Sequence, residues 1–347
     1  MVVGMGEFRV SNDAIEDHNE LTARIEEDGY LFFKKLQNPD SLWQLRLEML
    51  TVIRDGGWLQ PGSVLADGVA DPTKKCTEGD SEYTDVYHEV YKLQAFHEAA
   101  HNETVLSQIE MIIGSPVLAH PQKIARIWFP QFTDHTTPAH QDFVHFQGSY
   151  DTYTCWTPVG DCPVELGGLA VLRGSHKQSR VLDHHFSLGA GALAVDETQK
   201  EGEWLTTNYE IGDSLIFHSL TLHQALPNLT PDRLRVSLDN RYQSQNDPIA
   251  EYQLLPHLHN KNPLSWQEVY EDWTSTSLQY YWEDSDAPVL KQDLSYAERG
   301  FTEALTLAAN GDWQAQLYLE RTIKRDPDSV QAKEAVRALE GQKHPRE

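Results

Sequence analysis

The sequence predicts a mainly β protein with flanking helices, in which the strands form an antiparallel sandwich or barrel. From about residue 117 to 245, short β-branched and aromatic runs alternate with Gly, Pro, Asn and Asp, which is the pattern of short strands joined by turns. Outside this region, apolar residues recur at three- and four-residue spacing, as in amphipathic helices. We therefore predict three parts of one domain: a helical flank with a first core strand (1–116), the β core (117–245), and a packed extension of loops and helices (246–347).

Helix, strand and helix are predicted to open the chain. Residues 12–28 have apolar residues near helical spacing, with N-cap candidates at 11–13 and a closing glycine at 29. The run 30–33 predicts a buried strand, and the apolar stripe after Pro39 predicts a helix that ends at the glycines 56 and 57.

The remaining elements follow from the same patterns. Residues 81–113 are predicted to be mostly helical, and so is the last stretch, 291–340. The turn-rich segment 60–83 is interpreted either as a lid over a pocket or as a solvated loop. The core strands are predicted at 122–130, 152–159, 168–174, 213–223 and 233–242.

Composition excludes several classes of partner. The chain has 28 Lys and Arg against 53 Asp and Glu, a formal net charge of −25, which opposes long-range attraction to nucleic acid or anionic lipid. It has no run of 18 apolar residues and no secretory pattern at its start, so we expect a soluble, cytoplasmic protein without a membrane partner. The three cysteines lack CxxC spacing and are interpreted as ordinary thiols.

Among 16 histidines, one His-x-carboxylate triplet stands out. Two of the three triplets, at 18–20 and 101–103, fall in segments patterned as helix, where residues i and i+2 do not share a face. His140 and Asp142 instead follow a predicted strand, where both side chains point the same way and can bind one metal ion.

A facial metal triad needs a second histidine, and His223 at the end of the predicted strand 213–223 is the candidate. Arg235 lies twelve residues further on, and Ser237 is predicted on the same face of the next strand. A guanidinium and a hydroxyl presented together are typical of a carboxylate-binding site.

The other histidines are interpreted as structural or as neighbours of the site. His218 precedes His223 by five residues, which places it on the opposite face if the strand is continuous. His176 falls in the tight turn 173–176. A second metal pair at His257 and His259 is disfavoured by the loop composition around it. His135 and His145 are expected to lie near the metal ligands or at the surface.

At this point the chain resembles a known family. The motifs occur in the order His140-x-Asp142, Trp156, 165-ELGGLAVLRGSH-176, 212-GDSLIFHSLTLHQALPN-228 and Arg235-x-Ser237. This order is similar to that of the phytanoyl-CoA dioxygenase-like family of non-haem Fe(II), 2-oxoglutarate-dependent oxygenases, over roughly residues 25 to 245. The resemblance implies a double-stranded β-helix, or jelly-roll, as the catalytic core.

The resemblance also implies roles for individual residues. Fe(II) is expected on His140, Asp142 and His223, and the distal carboxylate of 2-oxoglutarate on Arg235, assisted by Ser237. Thr154 and Trp156 are expected beside this co-substrate, while Gln122 and Arg126 are expected to reach either the co-substrate or the substrate.

One departure from the family leaves a choice of arginine. Many members place the clamp eleven residues after the distal histidine, where this chain has Leu234, so that Arg233 competes with Arg235. Arg235 is preferred because it stands two residues before a serine.

The implied reaction is hydroxylation, or another C–H oxidation, of a small molecule by O2, with release of succinate and CO2. The retained Asp142 disfavours halogenation. An anionic CoA ester would need a basic patch, and Lys34-Lys35, Lys74-Lys75 and Arg126 are scattered, so a small or uncharged substrate is favoured. The alternative is a non-catalytic or non-oxygenase metal-binding jelly-roll of cupin type, including a metal-dependent hydrolase or isomerase. The sequence does not specify the oligomeric state.

Overall fold

The computed structural model describes residues 4–258 and 263–340. The helices are α1 (His18–Asp28), α2 (Pro39–Asp55), α3 (Ser81–Tyr91), α4 (Gln94–Glu98), α5 (Glu103–Ile113), α6 (Phe143–Phe146), α7 (Trp266–Tyr270), α8 (Ser295–Ala309), α9 (Trp313–Arg325) and α10 (Val330–Glu340). The strands are β1 (Tyr30–Phe33), β2 (Val117–Ala119), β3 (Ile124–Trp128), β4 (Tyr153–Pro158), β5 (Leu169–Leu172), β6 (His184–Phe186), β7 (Leu193–Val195), β8 (Trp204–Leu205), β9 (Ser214–His218), β10 (His223–Ala225), β11 (Arg235–Ser244), β12 (Ile249–Ala250) and β13 (Val289–Leu290).

Two facing antiparallel sheets form the core. The large sheet has the order β1-β9-β4-β11-β2, with β3 also paired to β11, and the small sheet has the order β10-β5-β8. An isolated bridge between His140 and His223 extends the edge of the small sheet. Along the chain, β3 and β4 lie in the large sheet, β5 and β8 in the small sheet, β9 in the large, β10 in the small and β11 in the large, while β6 and β7 form a separate two-stranded sheet. This connectivity is the double-stranded β-helix, which confirms the predicted fold class.

Strand alternation separates an inner core from an outer one. Residues Trp156, Leu215 and Phe217 of the large sheet point inward and pack against the small sheet, because successive strand residues face opposite sides. Cys155 and Ile216 point outward and are covered by α1 and α5. The helices therefore bury the outer face of the large sheet and leave the space between the sheets for the site. All three cysteines of the chain are buried and free.

The opening prediction is confirmed for the first strand and the second helix, and it is wrong for the start of the first helix. The strand spans Tyr30–Phe33, and α2 begins at Pro39 and ends before Gly56, as predicted. Residues 12–14 form only a short 3-10 turn, and α1 begins at His18, where the Asp17 side chain accepts a hydrogen bond from the backbone N–H of Glu20. The competing carboxylate, Asp13, is instead paired with Arg24 at 2.6 Å.

The predicted single strand over 213–223 is also wrong. It divides into β9, which belongs to the large sheet, and β10, which belongs to the small one. The connection is anchored by Thr221, whose hydroxyl donates to the Gly29 carbonyl at 2.8 Å. Because the strand is not continuous, its geometry cannot place His218 and His223 on opposite faces, as the sequence analysis assumed. His218 nevertheless lies apart from the predicted metal ligands, with its Nε2 3.4 Å from Asp151.

The sequence analysis did not predict the short strands between 174 and 213. These strands, β6, β7 and β8, have only two or three residues each. Runs of this length are too short to show an alternation of apolar and polar residues.

The extension after residue 245 packs on the jelly-roll. Helix α8 lies against β6, where Glu303 accepts a hydrogen bond from the backbone N–H of Phe186 at 2.7 Å. Helices α8 to α10 bury a small core of their own, formed by Ala304, Ala308, Ala315, Leu319 and Ala335. Among the described residues, no helix combines the length and the apolar character needed to cross a membrane.

Gly29 offers a test of how tightly the β9–β10 connection is packed. Its φ is +80°, and a Cβ placed there would lie 2.5 Å from His176 Nδ1 and 2.8 Å from Thr221 Oγ1. Gly57 has φ +76° but no atom within 4 Å of its Cβ position. We expect Gly29→Ala to lower the free energy of unfolding by about 3 kcal/mol and Gly57→Ala by about 1 kcal/mol, measured by urea denaturation. Equal losses in the two variants would contradict the close packing at Gly29.

Candidate active site

Two histidines from neighbouring chain segments present the same ring atom to a common centre. The backbones of His140 and His223 exchange hydrogen bonds of 3.0 and 3.1 Å, and their ring centroids are 4.3 Å apart. Nδ1 of His140 is 2.8 Å from the Pro138 carbonyl, and Nδ1 of His223 is 3.0 Å from the Thr221 carbonyl. Because a carbonyl only accepts, each Nδ1 carries the proton, and each Nε2 keeps a free lone pair.

A carboxylate completes this centre. Oδ1 of Asp142 lies 3.4 Å from Nε2 of both histidines, and Oδ2 accepts a hydrogen bond from the Thr154 hydroxyl at 2.5 Å. Asp142 does not continue a strand edge, as the sequence argument assumed, but has helical φ and ψ of −59° and −31° at the start of α6. A helical turn, and not a strand, therefore brings the Asp142 carboxylate next to the two histidine rings.

The charge states suit a divalent cation. Burial lowers the pKa of His140, and the nearby His223 lowers it further. Burial opposes ionisation of Asp142, but His223 and Arg241 outweigh it and hold the pKa of this carboxyl well below its usual range. Within the described ranges, His140, Asp142 and His223 are the one group of three potential metal ligands whose donor atoms lie within 4.8 Å of one another. Two imidazoles and one carboxylate on one side are the donor set of a mononuclear non-haem iron site.

A cavity extends from this centre between the two sheets and ends at a buried arginine. Arg235 is 1% exposed, lies 4.4 Å from the centroid of the Trp128 ring, and donates a 2.6 Å hydrogen bond to the Ser237 hydroxyl. Burial lowers the pKa of its guanidinium. The inner cavity is lined by Arg126, Trp128, Thr137, His140, Asp142, Thr154, Trp156, Leu169, Phe217, His223, Ala225, Arg235, Asp239 and Arg241.

Among the described residues that line the inner cavity, three buried donors have no hydrogen-bond partner: Nε of Arg235, Nε1 of Trp156 and Nε of Arg241. The last lies 3.9 Å from Oδ2 of Asp142, whereas the first two lie at the other end of the cavity. Leaving a buried donor unpaired costs about 1–3 kcal/mol, so this end of the cavity is built for a ligand that supplies acceptor atoms. A dicarboxylate fits this requirement, with one carboxylate on the guanidinium and the rest of the molecule toward the metal ligands.

The competing arginine lies elsewhere. Arg233 is exposed, precedes β11, and forms an isolated backbone bridge with Val69. It does not line the inner cavity, whereas Arg235 does.

Thr154 and Trp156, predicted beside the co-substrate, both line the inner cavity. The Trp156 ring packs against Tyr209 with centroids 4.7 Å apart. The guanidinium carbon of Arg235 lies over the Trp156 ring, 6.0 Å from the ring centroid. The Thr154 hydroxyl donates its hydrogen bond to Oδ2 of Asp142, and this hydrogen bond holds the carboxylate with Oδ1 toward the histidines.

The Thr154 hydroxyl should therefore matter for metal affinity. We expect Thr154→Val to weaken divalent-metal binding by about 10- to 100-fold, the usual cost of removing a hydrogen bond to a ligand side chain. Thr157→Val is the matched control, since Thr157 is equally buried on the same strand but bonds Gln37 at 2.7 Å on the outer face. Chelator competition with Co(II) measures both, and equal affinities would contradict the positioning role of Thr154.

A second, outer cavity of about 270 Å³ adjoins the metal ligands and opens toward solvent. Gln122 and Arg126 line it, as does Glu78 from the segment 60–83. Gln122 precedes β3, and its side-chain amide donates to the carbonyls of Tyr252 and Leu255 at 3.1 and 3.2 Å. This amide is therefore bonded within the protein and forms part of the cavity wall. Arg126 lines both cavities.

Several site residues were missed by the sequence analysis. Arg241 stacks its guanidinium 3.3 Å from the centroid of the Phe146 ring, and its Nε lies 3.9 Å from Oδ2 of Asp142. The alternation Arg235, Ser237, Asp239, Arg241 puts all four on the inner face of β11, and this period of two was the available sequence signal. Tyr252 and His257 reach the outer cavity from the extension, where the sequence offered no such signal.

The remaining histidines are accounted for as follows. His145 is half-buried, lies 5.1 Å from His140 between ring centroids, and lines the outer cavity. His135 is half-buried beside the Trp128 ring, and desolvation of its imidazole lowers its pKa to about 4. His176 stands in the predicted turn, where Gly174 has φ +69°. His257 bonds the Tyr87 hydroxyl at 2.8 Å, and His259 of the alternative metal pair lies outside the described residues.

A jelly-roll with two histidines and a carboxylate at one end, and a buried arginine beyond them, defines a mononuclear non-haem iron oxygenase of the 2-oxoglutarate-dependent class. Residues 25–236 match the family model described as Phytanoyl-CoA dioxygenase (PhyH). The chain belongs to this family and is a 2-oxoglutarate-dependent oxygenase acting on a small molecule, which confirms the resemblance noted in the sequence.

The chain is also similar to curated proteins and to solved structures. The 1-deoxypentalenic acid 11-beta-hydroxylase of Streptomyces arenae is 25% identical over 242 residues, which cover 66% of this chain and 82% of that protein. The same enzyme from Streptomyces exfoliatus is 25% identical over 241 residues, with the same two coverages. Among solved structures, the epimerase SnoN in complex with Fe3+, alpha ketoglutarate and nogalamycin RO has a TM-score of 0.48 at 18% identity, over 67% of this chain and 85% of that chain. EctD from S. alaskensis in its apoform has a TM-score of 0.48 at 17% identity, over 73% and 84%.

Proposed function

We propose that His140, Asp142 and His223 hold Fe(II), and that Arg235 with Ser237 binds the distal carboxylate of 2-oxoglutarate. The observation that carries the metal assignment is the pair of Nδ1–carbonyl hydrogen bonds, which leaves both Nε2 lone pairs facing Asp142. The co-substrate assignment is supported by the unpaired buried donors of Arg235 and Trp156.

When bound, ferrous iron would activate O2, and O2 would be the oxidant both for 2-oxoglutarate, which is cleaved to succinate and CO2, and for a substrate C–H bond. The protein contributes position and charge. Thr154 fixes Asp142, Arg241 adds positive charge behind this carboxylate, and Ser237 and the Trp128 ring hold the Arg235 guanidinium in place. The buried walls keep water from the reacting groups, which strengthens each of these electrostatic contacts.

The substrate is proposed to enter through the outer cavity. This cavity touches His140 and Asp142 and is the larger of the two spaces that reach the metal ligands, so a small organic molecule there presents a C–H bond to the metal centre. The curated relatives are named for hydroxylation of 1-deoxypentalenic acid, and we propose hydroxylation of a small molecule here as well, with O2 consumed and succinate and CO2 released.

Anaerobic titration of the metal-free protein with Fe(II) and 2-oxoglutarate tests this proposal. A bidentate 2-oxo acid on ferrous iron gives a visible metal-to-ligand charge-transfer band, and we expect this band to saturate at one equivalent of iron. Iron binding without the band would overturn the co-substrate assignment and favour the cupin-type alternative, a metal-binding jelly-roll that does not use 2-oxoglutarate.

A further inference from the structure

Arg126 stands where the two cavities meet, and two carboxylates cover it. Its Nε donates to Oδ2 of Asp239 at 2.9 Å, and its Nη1 donates to Oε1 of Glu78 at 2.5 Å. The three side chains are only 12–16% exposed. A guanidinium in this position would be a natural receptor for an anionic substrate group. In this chain, Glu78 already pairs with the Arg126 guanidinium at the outer cavity.

Glu78 is held firmly in this place. The preceding residue, Thr77, accepts a 3.1 Å hydrogen bond from Nη2 of Arg325 in α9. Its own N–H and hydroxyl bond Asp80 at 3.2 Å, and Cys76 is buried in the hydrophobic core. The Arg126 charge lowers the pKa of Glu78 to about 2 against the effect of burial. Glu78 is therefore a fixed, ionised part of the outer cavity wall.

The ionised groups that line the two cavities balance one another. Among the described residues that line them, three are cationic and three are anionic: Arg126, Arg235 and Arg241, and Glu78, Asp142 and Asp239. A ferrous ion and a 2-oxoglutarate dianion also cancel, so the loaded site carries no net charge when the imidazoles are neutral. A substrate with a net charge would lose part of its hydration in the outer cavity without gaining a counter-charge, which is unfavourable.

We propose that this oxygenase accepts a substrate without net charge, and that Glu78 is the specificity-determining residue that excludes anions by covering Arg126. The polar contacts left for such a substrate suit hydroxyl or carbonyl groups, since His145 lines the outer cavity and its Nε2 has no hydrogen-bond partner among the described residues. The inference rests on the proposed function for the identity of the bound cofactors, whereas the cover over Arg126 exists without them.

The test compares benzoate with its neutral isostere benzamide by calorimetry, on protein loaded anaerobically with Fe(II) and saturating 2-oxoglutarate. We expect Glu78→Gln to bind benzoate at least about tenfold more tightly than the wild type does, with benzamide affinity unchanged within about twofold. Glu82→Gln is the matched control, because it removes the same charge from an exposed position on α3 and should leave benzoate binding as in the wild type.

Two further variants keep the outcome interpretable. Glu78→Asp retains the charge and should exclude benzoate as the wild type does, and adding Arg126→Met to Glu78→Gln should abolish the gained affinity. Benzoate affinity for Glu78→Gln within about twofold of the wild type, or equally raised in Glu78→Asp or Glu82→Gln, would overturn the inference. Repeating the titration on metal-free protein separates this result from the proposed function, whose own failure would show as a missing charge-transfer band.

Discussion

The His223→Ala variant is expected to lose ferrous-iron binding by more than about 100-fold, because removing a ligand costs more than the 10- to 100-fold that loss of a supporting hydrogen bond costs. His223 supplies one of the three donor atoms that lie within 4.8 Å of one another. Without it, His140 and Asp142 hold a metal from two positions only. Substrate-stimulated succinate formation should fall to the background of the metal-free protein. Calorimetric titration with Fe(II) under argon measures the binding, and succinate release measures the activity.

His218→Ala is the matched control for this experiment. The two histidines are five residues apart in the sequence, but His218 lies at the end of β9 near Asp151 and not at the metal centre. Iron affinity and succinate formation in this variant should stay within about twofold of wild type. The backbone bridge between residues 140 and 223 does not use the imidazole, so the circular-dichroism spectrum of His223→Ala should be native. Native iron binding by His223→Ala would show that the triad is assigned wrongly.

Arg235→Leu is expected to weaken 2-oxoglutarate binding by at least about 30-fold, whereas Arg233→Leu should change it by less than about twofold. Removing a buried, hydrogen-bonded charge that faces an opposite charge costs about 2–5 kcal/mol, and Arg235 is 1% exposed at the end of the inner cavity. Arg233 is exposed and outside the cavity lining. The dissociation constant of 2-oxoglutarate, taken from the charge-transfer band of the ferrous protein, measures both variants.

A conservative substitution sharpens this result. Lysine keeps the charge but lacks the planar fork of donors, so Arg235→Lys should restore part of the affinity lost in Arg235→Leu. Iron affinity without 2-oxoglutarate should be unchanged in all three variants, because Arg235 is not among the metal ligands. A larger loss for Arg233→Leu than for Arg235→Leu would show that the clamp is the other arginine.

Local patterns were enough to predict the longer elements and most of the residues proposed for the site, but not the short strands β6 to β8 or the break between β9 and β10. The aromatic run at β1 and the capped, amphipathic α2 were predicted correctly because each carries its own periodicity and its own end signals. The His140-x-Asp142 spacing singled out the pair that we propose as metal ligands, even though its conformation is a helical turn and not a strand. The order of motifs then identified the family, and the family supplied the sheet topology.

The predictions failed where distant parts of the chain decide the conformation. Nothing within 213–223 marks the point at which the chain leaves one sheet for the other, since that break is fixed by the hydrogen bond of Thr221 to Gly29 and by the bridge of His223 to His140. The outer cavity likewise joins Glu78, Arg126 and Tyr252, which lie far apart in the sequence.

The sequence by itself predicted the fold class and singled out the two histidines and the carboxylate proposed as metal ligands, together with the pair of candidate arginines, because residue type, short-range spacing and the order of motifs along the chain are enough for these. Only the tertiary structure decided which arginine is buried between the sheets and which is exposed, and only it placed Glu78 over Arg126. The physical reason is that burial and charge pairing depend on which segments meet in space. The ion pair of Glu78 with Arg126 joins residues 48 positions apart, and no local pattern encodes it.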